Sequence, residues 1–302
     1  GERLSRIATV HTESTSAAGQ GGFGAVMGSK KLKAISVMGS QDVPVHDPER
    51  LNWLYKEVGR EARGFRNFSG RLEALRAQLD KEGGGKVRLA ACTAYCPSPC
   101  RIHYEQVQGS QYEGKLTGDI ACVSNSFRGG RGILYDWNVG VAGGFELNNY
   151  ANRLGLNHWD ILVGMVPWLR TSQRQGLISE INGAPLEWNS IGFWRKFLHD
   201  MAYREGMGDA LAEGGFRAPA VLGVGEEIVP RYYTGWGYSG HWDGHAAFVN
   251  RIVYPFWIVG AVHWAMDTRD PSSSTHGYVQ SVMYFGPFSR SYRGENPITW
   301  EH

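Results

Sequence analysis

Four cysteines in 302 residues are too few to lace a secreted domain together. The chain therefore reads as one from a reducing compartment that keeps its thiols for other chemistry. Long apolar runs are also missing. The longest, Phe256–Val262, falls far short of the roughly 20 residues that span a bilayer, and no basic segment followed by an apolar one opens the chain. These absences point to a cytoplasmic protein with no membrane span. Charge of one sign is not in excess either: the formal net charge is +2, which leaves no electrostatic footprint for nucleic acid. What remains, 42% hydrophobic and 20% charged, suits one large or two modest globular domains. The 11 Trp and 14 Tyr suit cores and the surroundings of flat ligands.

The cysteines that are present are unevenly spread. Cys92, Cys96 and Cys100 fall within nine residues, in a loop stiffened by Pro97 and Pro99. Structural zinc usually takes its ligands as two separated pairs, whereas three near-consecutive thiolates with one distant partner suit an iron–sulfur cube. Spacing alone leaves the cube, zinc and unligated thiols all open. Cys122 is the fourth cysteine, either completing a cube or free for different chemistry.

Taken in order, the chain reads as an internal piece of something longer. Arg6–His11 is expected as a strand entering a sheet. The run Gly19–Gly28 then carries five glycines in ten residues, a composition that leaves backbone N–H groups bare at a helix start and so can cradle phosphate. The plainer alternative is a tight turn and a packed helix before an apolar strand, Ala34–Met38. Asp47-Pro48-Glu49 supplies an N-cap, a first-turn proline and an early acid for a helix to about Arg63, and a second is expected from about Arg71 to Lys81. Gly83-Gly84-Gly85 breaks the chain before the cysteine loop. Further helices are expected over Gly143–Leu154, His158–Gln173 and Ile191–Tyr203. His241 and His245 lie in a glycine-containing loop that does not align them as ligands, and His263 reads as a core histidine.

The glycine run, with the cysteines, carries a resemblance. Gly-Gln-Gly-Gly-Phe-Gly-Ala-Val-Met-Gly-Ser-Lys-Lys-Leu-Lys-Ala-Ile, residues 19–35, is similar to G-R-G-G-L-G-A-V-M-G-S-K-N-L-K-A-I, which closes the first domain of the aldehyde ferredoxin oxidoreductase family of tungsten or molybdenum enzymes. The resemblance implies a mainly α fold with a short β/α piece at the N-terminus. It divides the chain into the tail of a pterin-binding domain (1–40), a helical domain carrying the cysteine loop (41–225) and the start of a third domain (226–302). It also implies a tungsten or molybdenum bis-pterin cofactor beside Ala18, Gly19, Gln20 and Gly21, with Gln20 standing where the family has arginine. Asn152-Arg153-Leu154-Gly155-Leu156-Asn157 is similar to the family's D-x-x-G-L-D pterin turn, with asparagine for both aspartates, so Asn152, Gly155, Leu156 and Asn157 are cofactor-binding candidates. Cys92, Cys96 and Cys100, spaced one residue wider than the family's C-x2-C-x3-C, are implied ligands of a [4Fe-4S] cluster whose fourth cysteine comes late in the third domain.

The activity so implied is oxidation of an aldehyde to a carboxylate, with electrons passed singly to ferredoxin or an electron-transfer subunit, in a possible homo-oligomer. Matched to the family's Y-E-G-P-E-Y-E-T, residues 112–119 place Leu116 and Gly118 at active-site glutamate positions, leaving Glu113 or Asp119 as substitutes. His276 matches a family active-site histidine. Cys122 falls where the benzoyl-CoA reductase branch has a metal-ligating cysteine, and a soft thiolate suits such a metal. Low-potential reduction of an aromatic acyl-CoA is thus the enzymatic alternative. A non-catalytic electron-transfer or scaffold subunit is the third. Between Cys100 and Cys122 a helix-capable segment is expected, and Arg204–Gly214, similar to G-I-G-D-x-L-A-E-G of the family, is expected to be structural.

Overall fold

The structure, a computed structural model, describes residues 1–12, 17–19, 21–42, 44–65, 68–91, 101–130, 135–231, 233–234 and 237–238. It divides into two units, Gly1–Glu226 and Glu227–His302. In the second, Tyr233–Thr234 pairs antiparallel with Gly237–Tyr238. The first unit is mainly α, as expected, with one three-stranded sheet and two two-stranded ones among the described residues.

Helix α1 spans Phe23–Ser29, α2 Pro48–Phe65 and α3 Phe68–Lys81. Asp47 caps α2 as its sequence suggests, its Oδ1 accepting from the Arg50 N–H at 2.8 Å. After the glycine break come three antiparallel strands in the order β3 (Lys86–Ala90), β4 (Arg101–Gln108) and β5 (Lys115–Ile120). The expected helix between Cys100 and Cys122 is therefore replaced by a β4–β5 hairpin. A register shift between Tyr104 and Val107, with Gln106 at φ +55°, interrupts the period-two pattern that would have signalled strands. One face of the sheet, including Val87, Ile102, Tyr104, Val107, Leu116 and Ile120, packs on Leu75 and Leu79 of α3. It also meets Val141, Ala142 and Phe145 of α4 (Gly140–Arg153), where the Tyr104 and Phe145 rings stack at 4.5 Å.

Cys122–Arg128 forms a 3-10 helix between the sheet and α4. The helix expected over His158–Gln173 opens into a π turn at Asp160–Met165 before α5 (Val166–Arg174). Pro167, lacking an N–H, cannot extend an unbroken ladder there. Helix α6 spans Ile191–Tyr203 and is capped by Ser190, whose Oγ accepts from Phe193 N at 3.2 Å. The aromatic richness goes into a second core of Phe127, Trp137, Trp188, Trp194 and Phe197. Trp137 and Trp194 satisfy their indole N–H groups on the carbonyls of Phe127 and Trp188, each at 2.9 Å.

Two expected strands are corrected. Within Arg6–His11 only Val10–His11 (β1) is a strand, paired with Ala17–Ala18 (β2). Residues Ala34–Met38 form none: among the described residues no strand lies beside them, and Val37 and Met38 are 87% and 96% exposed. Their apolar character without a pairing edge does not make a strand.

The start of α4 depends on one side chain. Glu82 Oε1 accepts from Val141 N at 3.2 Å and Oε2 from Ala142 N at 2.7 Å, meeting two helix-terminal donors with a negative charge. Glu82→Ala is expected to lower stability by about 2 kcal/mol, with Glu82→Gln costing less, as read from urea midpoints of the two variants.

Candidate cofactor site

The site is built around the backbone of residues 5–11. The N–H of Asn157 donates to the Ile7 carbonyl at 2.9 Å, that of Thr9 to Gly155 at 2.8 Å, and that of Gly24 to Ala8 at 3.0 Å. On another side the Arg6 N–H donates to Ala212 at 2.8 Å. Helix α1 lies so close to this segment that a methyl group at Gly24 would stand 2.5 Å from the Thr9 carbonyl oxygen, and one at Gly22 equally near that of Arg6. These glycines are explained by close packing, and the Gly24 N–H is already used. The expectation of a bare N–H cradle is corrected at that position.

The same packing brings two distant motifs together. A methyl at Gly19 would be 4.0 Å from Asn157 Oδ1, so the glycine loop and the turn at 152–157 form one locus. Ala18 pairs with Val10 and is exposed, Gly21 takes φ +84°, and Gln20 lies outside the described residues. In the turn, Gly155 adopts the left-handed conformation at φ +67°, its N–H donating to the Asn152 carbonyl at 3.0 Å. Leu156 bridges to Ala8 and is buried. Buried Asn157 turns its Oδ1 to the N–H of Trp159 at 2.9 Å, opening the next helix.

Three residues at this locus were not among the sequence candidates. Buried His158 holds its Nδ1 2.8 Å from Ser124 Oγ and meets the Phe127 ring edge-on. Burial, aided by His11, pushes the His158 imidazole down to about 3, and burial also lowers His11. Nε2 of His158, Nε2 of His11 and Oγ1 of Thr9 are buried without a hydrogen-bond partner among the described residues. The available signal was the place of His158 directly after Asn157.

Cys92, Cys96 and Cys100 lie outside the described residues, as do His241, His245, His263 and His276. Residues Ala90 and Arg101, which flank the cysteine segment, are paired across β3 and β4. Ile120 pairs with Ile102, and Cys122 begins the 3-10 helix two residues later. The chain therefore enters and leaves the cysteine segment, and enters the Cys122 helix, at one end of the sheet. Through Ser124 that helix touches His158, linking this end to the turn.

The acid/base candidates are dispersed. Asp119 is engaged at the same sheet end, by Arg101 Nη1 at 3.1 Å and His103 Nδ1 at 2.6 Å. Glu113 is exposed on the loop joining β4 to β5, at the hairpin's other end. Leu116 is buried in the apolar core and a methyl at Gly118 would stand 3.7 Å from Phe145, so this face of β5 serves packing.

A mainly α domain with neutral, unpaired polar atoms beside a glycine loop and a left-handed turn suits a protein that holds an organic cofactor. Residues 51–241 match the family description "Aldehyde ferredoxin oxidoreductase, domains 2 & 3", and residues 1–39 match the N-terminal domain of that family. The chain belongs to the aldehyde ferredoxin oxidoreductase family. It is 27% identical over 278 residues to the tungsten-containing aldehyde ferredoxin oxidoreductase of Pyrococcus furiosus, covering 82% of this chain and 45% of that protein. It is also 27% identical over 251 residues to that organism's aliphatic sulfonate oxidoreductase, WOR-like subunit, covering 72% and 38%. The active-site complex BamBC of benzoyl coenzyme A reductase, solved with 1,5-dienoyl-CoA, shares the fold at a TM-score of 0.53 and 20% identity, over 76% of this chain and 40% of that one. The chain thus spans under half the length of these relatives.

The depressed His158 gives a pH signature. Its folded pKa lies below the unfolded value of 6.5, so its contribution to stability is complete above pH 6.5 and is lost as the pH falls from there toward 3. Urea midpoints measured from pH 7.5 to 5 should decline, and His158→Gln should flatten that decline. Parallel curves for the two proteins would contradict it.

Proposed function

We propose that the chain is part of a tungsten or molybdenum bis-pterin oxidoreductase that oxidises an aldehyde to a carboxylate and passes electrons through a [4Fe-4S] cluster to ferredoxin or an electron-transfer subunit. The supporting observation is that the two motifs matched to cofactor binding, 138 positions apart at Gly19 and Asn157, meet at one locus within a chain of this family. The neutral buried atoms of Thr9, His11 and His158 beside them fit an organic ring that forms hydrogen bonds.

In this reading Ala18, Gly19, Gln20 and Gly21 and, packed against them, Asn152, Gly155, Leu156 and Asn157 together line one pterin site. When bound, the metal–pterin group supplies two-electron exchange with substrate. The overall reaction takes aldehyde and water to carboxylate, three protons and two electrons. Cys92, Cys96 and Cys100 hold the cluster, and His276 is assigned to proton transfer; Glu113, exposed at the hairpin end away from the cysteine segment, is given no such role. The domain layout is 1–40, 41–225 and 226–302, in a cytoplasmic protein that forms a homo-oligomer. No described helix is long and apolar enough to cross a membrane.

A second reading is favoured by Cys122. Its helix is tied to the turn through Ser124 and His158, and Leu116 and Gly118 replace carboxylates on a face of β5 committed to the core. A thiolate in place of an oxygen ligand favours electron and proton delivery over oxygen transfer, as reduction of an aromatic acyl-CoA requires.

Two variants of the full-length holoprotein test these assignments. The electron paramagnetic resonance signal of the dithionite-reduced cluster should vanish in Cys96→Ala, and stoichiometric zinc without iron would refute the cluster. Cys122→Ser, assayed on aldehydes and aromatic acyl-CoA esters, should keep its iron and lose activity if Cys122 ligates the pterin-bound metal. Loss of iron would make it a cluster ligand, and no change in either would leave it a packing residue and remove the support for acyl-CoA reduction.

A further inference from the structure

Thr9, His11 and His158 belong to segments that the backbone draws together: Thr9 donates to Gly155, His11 pairs with Ala17 beside the glycine loop, and His158 follows Asn157. Each buries one polar atom that no described protein group satisfies. Buried polar atoms in folded proteins are nearly always partnered, so three at one locus with no partner among the described residues point to a partner not among them.

Resting on the cofactor reading above, we propose that Thr9, His11 and His158 form a neutral hydrogen-bonding wall for the edge of a pterin ring. The chemistry of the three groups selects the ligand class. None is a carboxylate or thiolate, as a resident cation demands. None is a guanidinium or ammonium, as a phosphate prefers. A hydroxyl both donates and accepts, and a neutral imidazole does one at each nitrogen. Such a set matches the alternating donors and acceptors along the edge of an uncharged heterocycle.

Burial keeps both imidazoles neutral, so they serve in that capacity rather than as charges. Ser124 fixes the role of His158. If its hydroxyl donates to Nδ1, Nε2 presents a donor, and if it accepts, Nε2 presents a lone pair. His158 is thereby a binding residue joined directly to the helix that begins at Cys122.

The test uses Thr9→Val and His158→Phe, singly and together, in the full-length holoprotein. Both keep the shape and remove the polar atoms. Pterin released and oxidised to its fluorescent form is measured per protein after gel filtration, beside iron content and the urea midpoint of the apoprotein. The expected result is at least a tenfold fall in retained pterin in the double variant, unchanged iron, and an apo midpoint equal to or above wild type for Thr9→Val, which removes only an unpaired polar atom, with a lower one for His158→Phe, which also takes Nδ1 away from Ser124 Oγ. Wild-type pterin content in stable variants would overturn the inference and leave the cofactor reading intact, because the atoms would then face only water or a packing gap. A wild-type protein that itself carries no pterin would overturn both. Should His158→Phe fail to fold, the isosteric Thr9→Val decides the matter by the same pterin measurement.

Discussion

The site depends on one short stretch of backbone, residues 6–9, held from three directions. The turn at 155–157 bonds to Ile7 and Thr9, α1 bonds to Ala8, and Ala212 bonds to Arg6. Each bond contributes only about 1 kcal/mol net, but leaving such a group buried and unpaired costs more. The segment therefore has one acceptable position. The Arg204 guanidinium reinforces it, donating to the carbonyls of Arg3 and Leu4 at 2.8 Å each while pairing with Glu213 at 2.6 Å and Asp209 at 2.7 Å. The segment matched to G-I-G-D-x-L-A-E-G thus acts as the clasp for the N-terminal stretch, in keeping with a structural role.

The second constraint is the register of the small sheet. Ile102, Tyr104, Val107, Leu116 and Ile120 are buried on one face, and a slip of one residue would turn that set to solvent. With the register so held, Ala90, Arg101 and Ile120 stand at one end of the sheet. The three-cysteine segment and the Cys122 helix thus start from neighbouring positions although 21 residues separate Cys100 from Cys122 in sequence. Asp119, held by Arg101 and His103, anchors the same end.

Much of the helical frame was legible because its signals are local. Asp47 caps its helix as the sequence suggests, and the periodic apolar residues of α4 and α6 point inward. The turn at Gly155 was legible for the same reason. The sheet was not: its alternation is broken at Gln106, and its pairing depends on partners distant in sequence. Ala34–Met38 misled in the opposite sense, since apolar, β-prone composition cannot supply a pairing partner. At the site, the motif residues Gly19 and Asn157 could be picked out singly, but their meeting could not. Thr9, His11 and His158 escaped notice because an unsatisfied atom is a property of three-dimensional packing. The tryptophans, suited by composition to cores or to flat ligands, include three that build a core.

The central proposal is spatial: the glycine loop and the turn at 152–157, in contact with each other, together line the site of a metal-bearing pterin. Anomalous diffraction at the tungsten and molybdenum edges from crystals of the full-length holoprotein tests it directly. The account predicts a single heavy-metal peak with continuous pterin density running to Gly19, Asn157 and the Nε2 atom of His158. A peak elsewhere in the molecule, or ordered solvent alone at this locus in protein that retains its metal, would contradict it.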